Sequence, residues 1–370
     1  MGSGAALIGA WVLFVAFQDP PQTPLAYDLA AAAADDQLAA PSTRPPEPGE
    51  QYPPSLVDEA RRVRPDPAAP RPRARGADWR ATFDASVVAY SNITNSTDAD
   101  TVELDLGGQR LPVPLDPSLR QRSGVGLGLS ASVRGRIPLS ETVTAAVDAE
   151  GFVLEQEGAR SDDSSILLAA GAEIAAGGDA TLFIQATGFD RRYAGLSAMH
   201  GLGLRARYRQ ALGEGKALTL SLDARRFESD YGEDFGGTEG GAYLTYETVI
   251  DPTLSGSVGF YARASWLGAE AYSSREFGAF GGLSHYLTSG LIGGVTAGLA
   301  YVEYDGSILL LSPDPRTDWR AYGSLYVAAR RPVLVGLTPS LTYTYNRTSS
   351  SIEFYRADRH RLRFGVSRTF

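Results

Sequence analysis

From Trp79 to the C-terminus, apolar and polar residues alternate with a period of two. Trp79, Ala81, Phe83, Ala85 and Val87 are interleaved with Arg80, Thr82, Asp84 and Ser86. Leu202, Leu204, Ala206 and Tyr208 are interleaved with Arg205, Arg207 and Arg209, and the final stretch sets His360, Leu362, Phe364, Val366 and Phe370 against Arg359, Arg361, Arg363, Ser367 and Thr369. A period of two predicts strands. Arginines filling one face exclude a soluble core, because buried unpaired guanidinium groups are too costly. Lipid on one side and a watery lumen on the other satisfy the pattern.

The connections alternate too. Short turns are expected at 138–141, 177–179, 213–215, 251–253 and 288–290, and longer polar loops near 92–120, 158–163, 191–199, 230–238, 267–275, 305–315 and 349–357. Short turns belong on the periplasmic side of such a barrel and long loops outside. The expected fold class is therefore all-β: a 14-stranded antiparallel transmembrane β-barrel over residues 79–370, behind a disordered proline-rich N-terminal segment. An even strand number places both barrel ends on the periplasmic side of a Gram-negative outer membrane. Aromatics near strand ends (Trp79, Tyr90, Trp266, Tyr286, Trp319, Phe370) suit interfacial girdles.

Residues 1–26 are expected to be a signal peptide region: Ala5–Phe17 has h-region length, although the first basic residue is Arg44. Residues 27–78 read as a periplasmic tether. Its 41–76 portion is too rich in proline and arginine to bury a core, and Pro54–Val63, with Ser55 as N-cap, is either a short helix or undocked linker.

The chain has no Cys, which removes disulfides and thiolate chemistry, and carries a net charge of −9 without the basic clusters of a nucleic-acid footprint. No cofactor or metal is expected: His200, His285 and His360 fall in three separate strands, and the acids of the first long loop (Asp98, Asp100, Glu103, Asp105, Asp116) read as solvated charge. The glycosylation-like triplets at Asn92, Asn95 and Asn346 read as loop and turn residues. His285 shares a face with Leu283 and Leu287, but no serine is placed beside it, so the expectation is a protein that is not an enzyme.

The candidate lumen-facing residues are Asp84, Asp148, Glu150, Arg205, Arg207, Asp223, Arg225, Arg263, Arg361 and Arg363. They could line a polar pore for small solutes or form cross-strand salt bridges that fill the lumen. Phe364 and Phe370 are the candidate assembly signal for the barrel assembly machinery, with Phe370 decisive and Phe364 contributing mainly lipid-facing area. Ala81, Ala85, Ser86, Gly365 and Ser367, together with Ala89, make a lateral seam of small side chains between the first and last strands.

Several short motifs resemble one family. They are Ser91-Asn-Ile-Thr-Asn-Ser-Thr97, the glycine-rich Arg122-Ser-Gly-Val-Gly126, Pro339-Ser-Leu-Thr-Tyr-Thr-Tyr345, Ser351-Ile-Glu-Phe-Tyr355, Arg359-His360 and the terminal Phe370. Together they resemble the C-terminal barrel of the surface lipoprotein assembly modifier family. The resemblance implies a fourteen-stranded outer-membrane barrel that helps lipoproteins, or related secreted proteins, reach the cell surface. Members usually carry a helical repeat domain before the barrel, for which residues 18–78 are too short and proline-rich. A passive channel for small polar solutes is the alternative.

Overall fold

Fourteen of the alternating segments are strands that close on one another. The computed structural model describes residues 77–370 apart from 94–96, 98, 106–108, 116–119, 157–161, 178, 194–195, 214, 252, 289–290 and 330–335. The expected signal region, all but the end of the tether and the Ser55-capped segment lie outside the described residues. The strands are β1 (Asp78–Tyr90), β2 (Thr101–Asp105), β3 (Arg110–Pro114), β4 (Gly124–Pro138), β5 (Val143–Gln156), β6 (Asp163–Gly177), β7 (Ala180–Tyr193), β8 (Leu196–Ala211), β9 (Lys216–Glu228), β10 (Gly237–Val249), β11 (Leu254–Leu267), β12 (Ser274–Thr288), β13 (Leu291–Tyr304), β14 (Thr317–Ala329), β15 (Thr338–Ser350) and β16 (Ala357–Thr369). Neighbours pair antiparallel from β4 round to β16, and β1 closes the wall between them. β2 and β3 form a separate two-stranded sheet. Closure is obligatory in lipid, where an unpaired strand edge has no water to bond.

The period of two sorts the side chains. Phe83, Val87, Leu129, Leu204, Leu222, Phe260, Leu325, Leu341 and Phe364 stand exposed on the outer wall, while Thr82, Asp84, Asp148, Thr219, Thr245 and Arg363 are buried inside. Trp79, Trp266, Trp319 and Phe370 are exposed on the outer rims, as girdle residues require. Tyr90 and Tyr286 depart from that expectation. Tyr90 is buried beneath the guanidinium of Arg359, 4.4 Å from its ring centre, and Tyr286 packs against Ile292, Tyr326 and Ala328. Both occupy inward positions of the alternation, and that parity outweighs their place at strand ends.

Two expected loops also differ. The 92–120 loop contains the β2–β3 hairpin rather than only polar chain. The 191–199 stretch is mostly strand: β7 and β8 continue through it with a register shift between Arg191 and Arg192, and Met199 turns into a cluster with Ala198 and Phe227. Asn346 lies within β15, not in a turn. In the lumen, rings lie across glycines of neighbouring strands. A Cβ at Gly294 would sit 2.5 Å from the Tyr326 ring, and one at Gly278 would collide with Tyr261, so these strands accept aromatics only because the partner position is glycine.

Candidate functional site

On the β9–β14 half of the wall, inward charges link into a ladder at the long-loop end. Arg225 donates through Nε to Glu239 at 3.0 Å and through a second guanidinium nitrogen to the same oxygen. Glu239 lies 3.8 Å from Arg263, whose other nitrogen lies 3.7 Å from Glu276. Glu276 accepts from Arg320 at 3.1 Å and from the Tyr261 hydroxyl at 2.7 Å. Arg320 lies 3.6 Å from Asp318, which takes Arg316 on both carboxylate oxygens at 2.6 to 3.0 Å. Charge alternates along the whole run, and Glu239, Arg263 and Glu276 each bridge two neighbours on different strands. A fourteen-stranded wall is too wide for short side chains to fill, and arginine has both the reach and the donors to cross it.

A second cluster occupies the β4–β8 side. Asp148 accepts from Arg136 at 2.9 Å, from Gln185 at 2.5 Å and from Arg205 at 3.4 Å. Arg136, Arg205 and Arg207 all face the ring of Phe183, at 5.7, 6.0 and 5.4 Å. Nearer the short-turn end, Arg209 lies 3.5 Å from the buried Glu247.

The wall closes at the β1–β16 junction, whose ladder runs from Thr82↔Thr369 to Tyr90↔Arg361. Its centre is small: Ala85↔Val366 face outward and Ser86↔Gly365 inward. Its ends are sewn by extra bonds. Ala81 and Phe370 exchange backbone bonds of 3.2 and 2.8 Å, and the far end has Ser91 N–H to His360 O at 3.0 Å and Asn92 Nδ2 to Asp358 O at 3.1 Å. Asp84 and Arg363 pair across the junction on the lumen side.

The long loops have a core of their own. Val102 and Leu115 from the β1–β4 loop, Ile308 from the β13–β14 loop, and Ile352, Phe354 and Tyr355 from the β15–β16 loop are buried together. The hairpin bridges to the β13–β14 loop through Asp105 N–H to Leu310 O at 2.9 Å, and Thr97 Oγ1 reaches Glu353 O at 3.4 Å. Arg316 is held beneath this cap, 3.6 Å from the centre of Tyr355 and 4.4 Å from that of Tyr304. Burial acts to lower its pKa, but the facing tyrosines and the bonded Asp318 outweigh burial and keep the guanidinium charged. In the same cap, burial and then the nearby Asp234 raise the Tyr272 phenol above its ordinary value.

The family model described as surface lipoprotein assembly modifier matches residues 79–370, the span of this barrel from β1 to the terminal Phe370. The chain belongs to the surface lipoprotein assembly modifier family. It is an outer-membrane β-barrel. No curated protein matches it. Solved structures similar to the chain include the outer membrane channel DcaP of Acinetobacter baumannii (10% identity, TM-score 0.47, covering 80% of this chain and 98% of that one). A Pseudomonas aeruginosa FadL homologue (11% identity, TM-score 0.45, 91% and 97%) and an outer membrane channel from Pseudomonas putida F1 (14% identity, TM-score 0.40, 78% and 95%) are also similar.

Within this surface lipoprotein assembly modifier barrel, the residues singled out from the sequence are divided among the three regions. Asp148, Arg205 and Arg207 meet at Phe183, with Glu150 half-buried on the same strand as Asp148. Arg225 and Arg263 sit in the ladder, with Asp223 in the electrostatic field of both. Asp84, Arg363 and Arg361 belong to β1 and β16, and Arg361 reaches Thr344 at 3.5 Å. Ala81, Ala85, Ser86, Gly365 and Ser367 line the junction, whereas Phe364 and Phe370 stand on the outer wall. Glu239, Glu276, Arg316, Asp318 and Arg320 of the ladder, Arg136 and Gln185 beside Asp148, and the cap cluster were not singled out. Arg316, Asp318 and Arg320 are spaced by two on one face, the signal that could have found them.

Proposed function

We propose that this barrel assists the export or surface display of lipoproteins or related secreted proteins, working as a conduit without catalysis. The observation that carries this reading is the β1–β16 junction. Its centre sets Ala85 against Val366 and Ser86 against Gly365, and such small side chains give little cross-strand packing. A wall that parts there would let a lipid-anchored cargo leave sideways. Family membership supports the cargo class. The barrel stands with both ends in the periplasm and its cap outside, supported by the short turns at one rim and the folded loops at the other. A tag at 106–108, between β2 and β3, should be accessible on intact cells, and protection of that tag would reverse the orientation. Cysteines replacing Ala85 and Val366, which are paired across the junction, test the route. Oxidation should stop display of a lipidated reporter while the barrel stays folded; display at the normal rate would sink the lateral route.

Passive permeation of small solutes is the second reading. β4 favours it by presenting Gly124, Gly126, Gly128, Ser130 and Ser132 to the lumen, a smooth strip beside the seam. Steady conductance of the cap-intact barrel in planar bilayers would support it.

A further inference from the structure

We propose that Asp84 and Arg363 form a lumen-side latch that sets how readily β1 and β16 part; the proposal deepens the export reading and rests on it. In the ladder, Asp84 is opposite Ser367 and Arg363 is opposite Val88. The ion pair therefore reaches diagonally over Ser86↔Gly365, the smallest pair of the junction. Gly365 makes this possible: a Cβ there would lie 3.2 Å from the Arg363 guanidinium and 3.2 Å from Asp84 Oδ2. Any side chain at 365 would crowd the pair. On the outer wall the same stretch offers only Ala85↔Val366, Val87↔Phe364 and Ala89↔Leu362, so much of the polar hold in the middle of the junction rests on one pair of charges.

That pair is built differently from the Arg316–Asp318 pair of the ladder. Both members are buried, at 2% and 6% exposure, yet Asp84 Oδ2 has no hydrogen-bond partner among the described residues. Asp318, by contrast, has both oxygens taken by Arg316. A buried carboxylate satisfied on one oxygen holds the closed state but gains solvation once the strands separate. Such a pair is suited to opening, whereas the fully satisfied Arg316–Asp318 pair is suited to staying shut.

The test is amide hydrogen exchange on the whole barrel refolded in phospholipid vesicles, comparing residues 82–90 and 361–369 with the β9–β10 ladder as an internal reference. Asp84→Asn should speed exchange at the junction by about tenfold or more, the loss expected for one charge-assisted bond, and leave β9–β10 unchanged. The reversed pair, Asp84→Arg with Arg363→Asp, should restore slow exchange. Unchanged junction exchange, equal acceleration in both ladders, or failure of the reversed pair to restore it would each overturn the latch. If Asp84→Asn cannot fold and the reversed pair can, the charges serve assembly alone and the proposal falls. Faster junction exchange combined with normal reporter display by the oxidised Ala85–Val366 cross-link would keep the latch and remove the lateral export route.

Discussion

Replacing Glu276 with Gln removes the central anion of the ladder while keeping its shape. Glu276 lies 3.7 Å from Arg263 and 3.1 Å from Arg320, and it accepts the Tyr261 hydroxyl at 2.7 Å. The amide can still accept from Tyr261, so the loss is electrostatic. Removing one partner of a buried pair costs about 3–5 kcal/mol. Glu239 and Asp318 still hold Arg263 and Arg320 at 3.8 and 3.6 Å, which places the expected loss near the lower end, about 3 kcal/mol. Equilibrium urea unfolding in vesicles, followed by the heat-dependent shift in gel migration, measures it. The cap pair Glu103–Arg110 provides the control. It is 3.4 Å apart and more than half exposed on both sides, so Glu103→Gln should change stability by less than about 0.5 kcal/mol. If Glu276→Gln behaves like Glu103→Gln, the ladder is screened by lumen water. The lumen would then be open, and the channel reading would gain at the expense of the packed one.

Three further outcomes follow from the same structure. Phe354→Ala empties a position that is 4% exposed at the centre of the cap and makes edge contact with Tyr355 at 5.2 Å; it should expose the β2–β3 hairpin to protease while the barrel keeps its folded gel mobility, and an equally resistant hairpin would refute the cap. Phe370→Ala should lower membrane insertion in cells far more than Phe364→Ala, which loses only outer-wall area worth about 2 kcal/mol; equal yields would contradict a terminal signal. In the β10–β11 turn, Asp251 accepts from Thr253 N–H at 2.7 Å, Thr253 Oγ1 at 2.8 Å and Leu254 N–H at 2.9 Å, which hold its carboxyl below the usual range. Because the folded value is depressed, the turn is fully held above the unfolded value of about 4 and loosens as pH falls through the folded one; a Thr253 amide resonance that titrates at or above pH 4 would contradict this.

How much could be read from the chain depended on whether a signal was local. β1, β8, β9, β11 and β16 carry strong alternation in large apolar residues, and their lumen faces follow from parity alone. Parity would also have turned Tyr90 inward, since it shares a face with Thr82, Asp84 and Ser86; its position at a strand end concealed this. β12 and β13 are thinned by Gly278, Gly281, Gly282, Gly293, Gly294 and Gly298, so alternation fades there, and at Gly278, Gly294 and Gly298 a neighbouring tyrosine ring takes the room. The ladder was hidden for another reason. Glu239, Glu276 and Asp318 each lie within three residues of a strand start and look like loop charge; the register between strands brings Glu239 and Glu276 to their arginines, while Asp318 takes its own from two residues either side. The cap left no periodic trace: Val102, Ile308, Ile352 and Phe354 are apolar residues scattered through polar loops far apart in sequence.

Bulk is distributed unevenly inside this wall, and the unevenness bears on the route. Tyr243, Tyr261, Tyr322 and Tyr326 point inward on the β10–β14 side, where the ladder also runs, and Tyr304 adds its hydroxyl to Arg320 at 2.9 Å. The strand beside β1 is the opposite, smooth with glycine and serine from Gly124 to Ser132 before Arg134 and Arg136 begin. β4 therefore carries little inward bulk of its own between Gly124 and Ser132, next to the junction with β16 and away from the ladder, and Ile93 and Leu154 lie over its first two glycines. A uniformly lined channel gives no reason for one continuous charge ladder on β9–β14, a separate cluster around Phe183 and small inward residues on β4 beside β1. On the export reading proposed above, the ladder keeps the wall in shape, while the β4–β1–β16 stretch, where Ser86 stands opposite both Gly128 and Gly365, has little side-chain packing to undo at its middle.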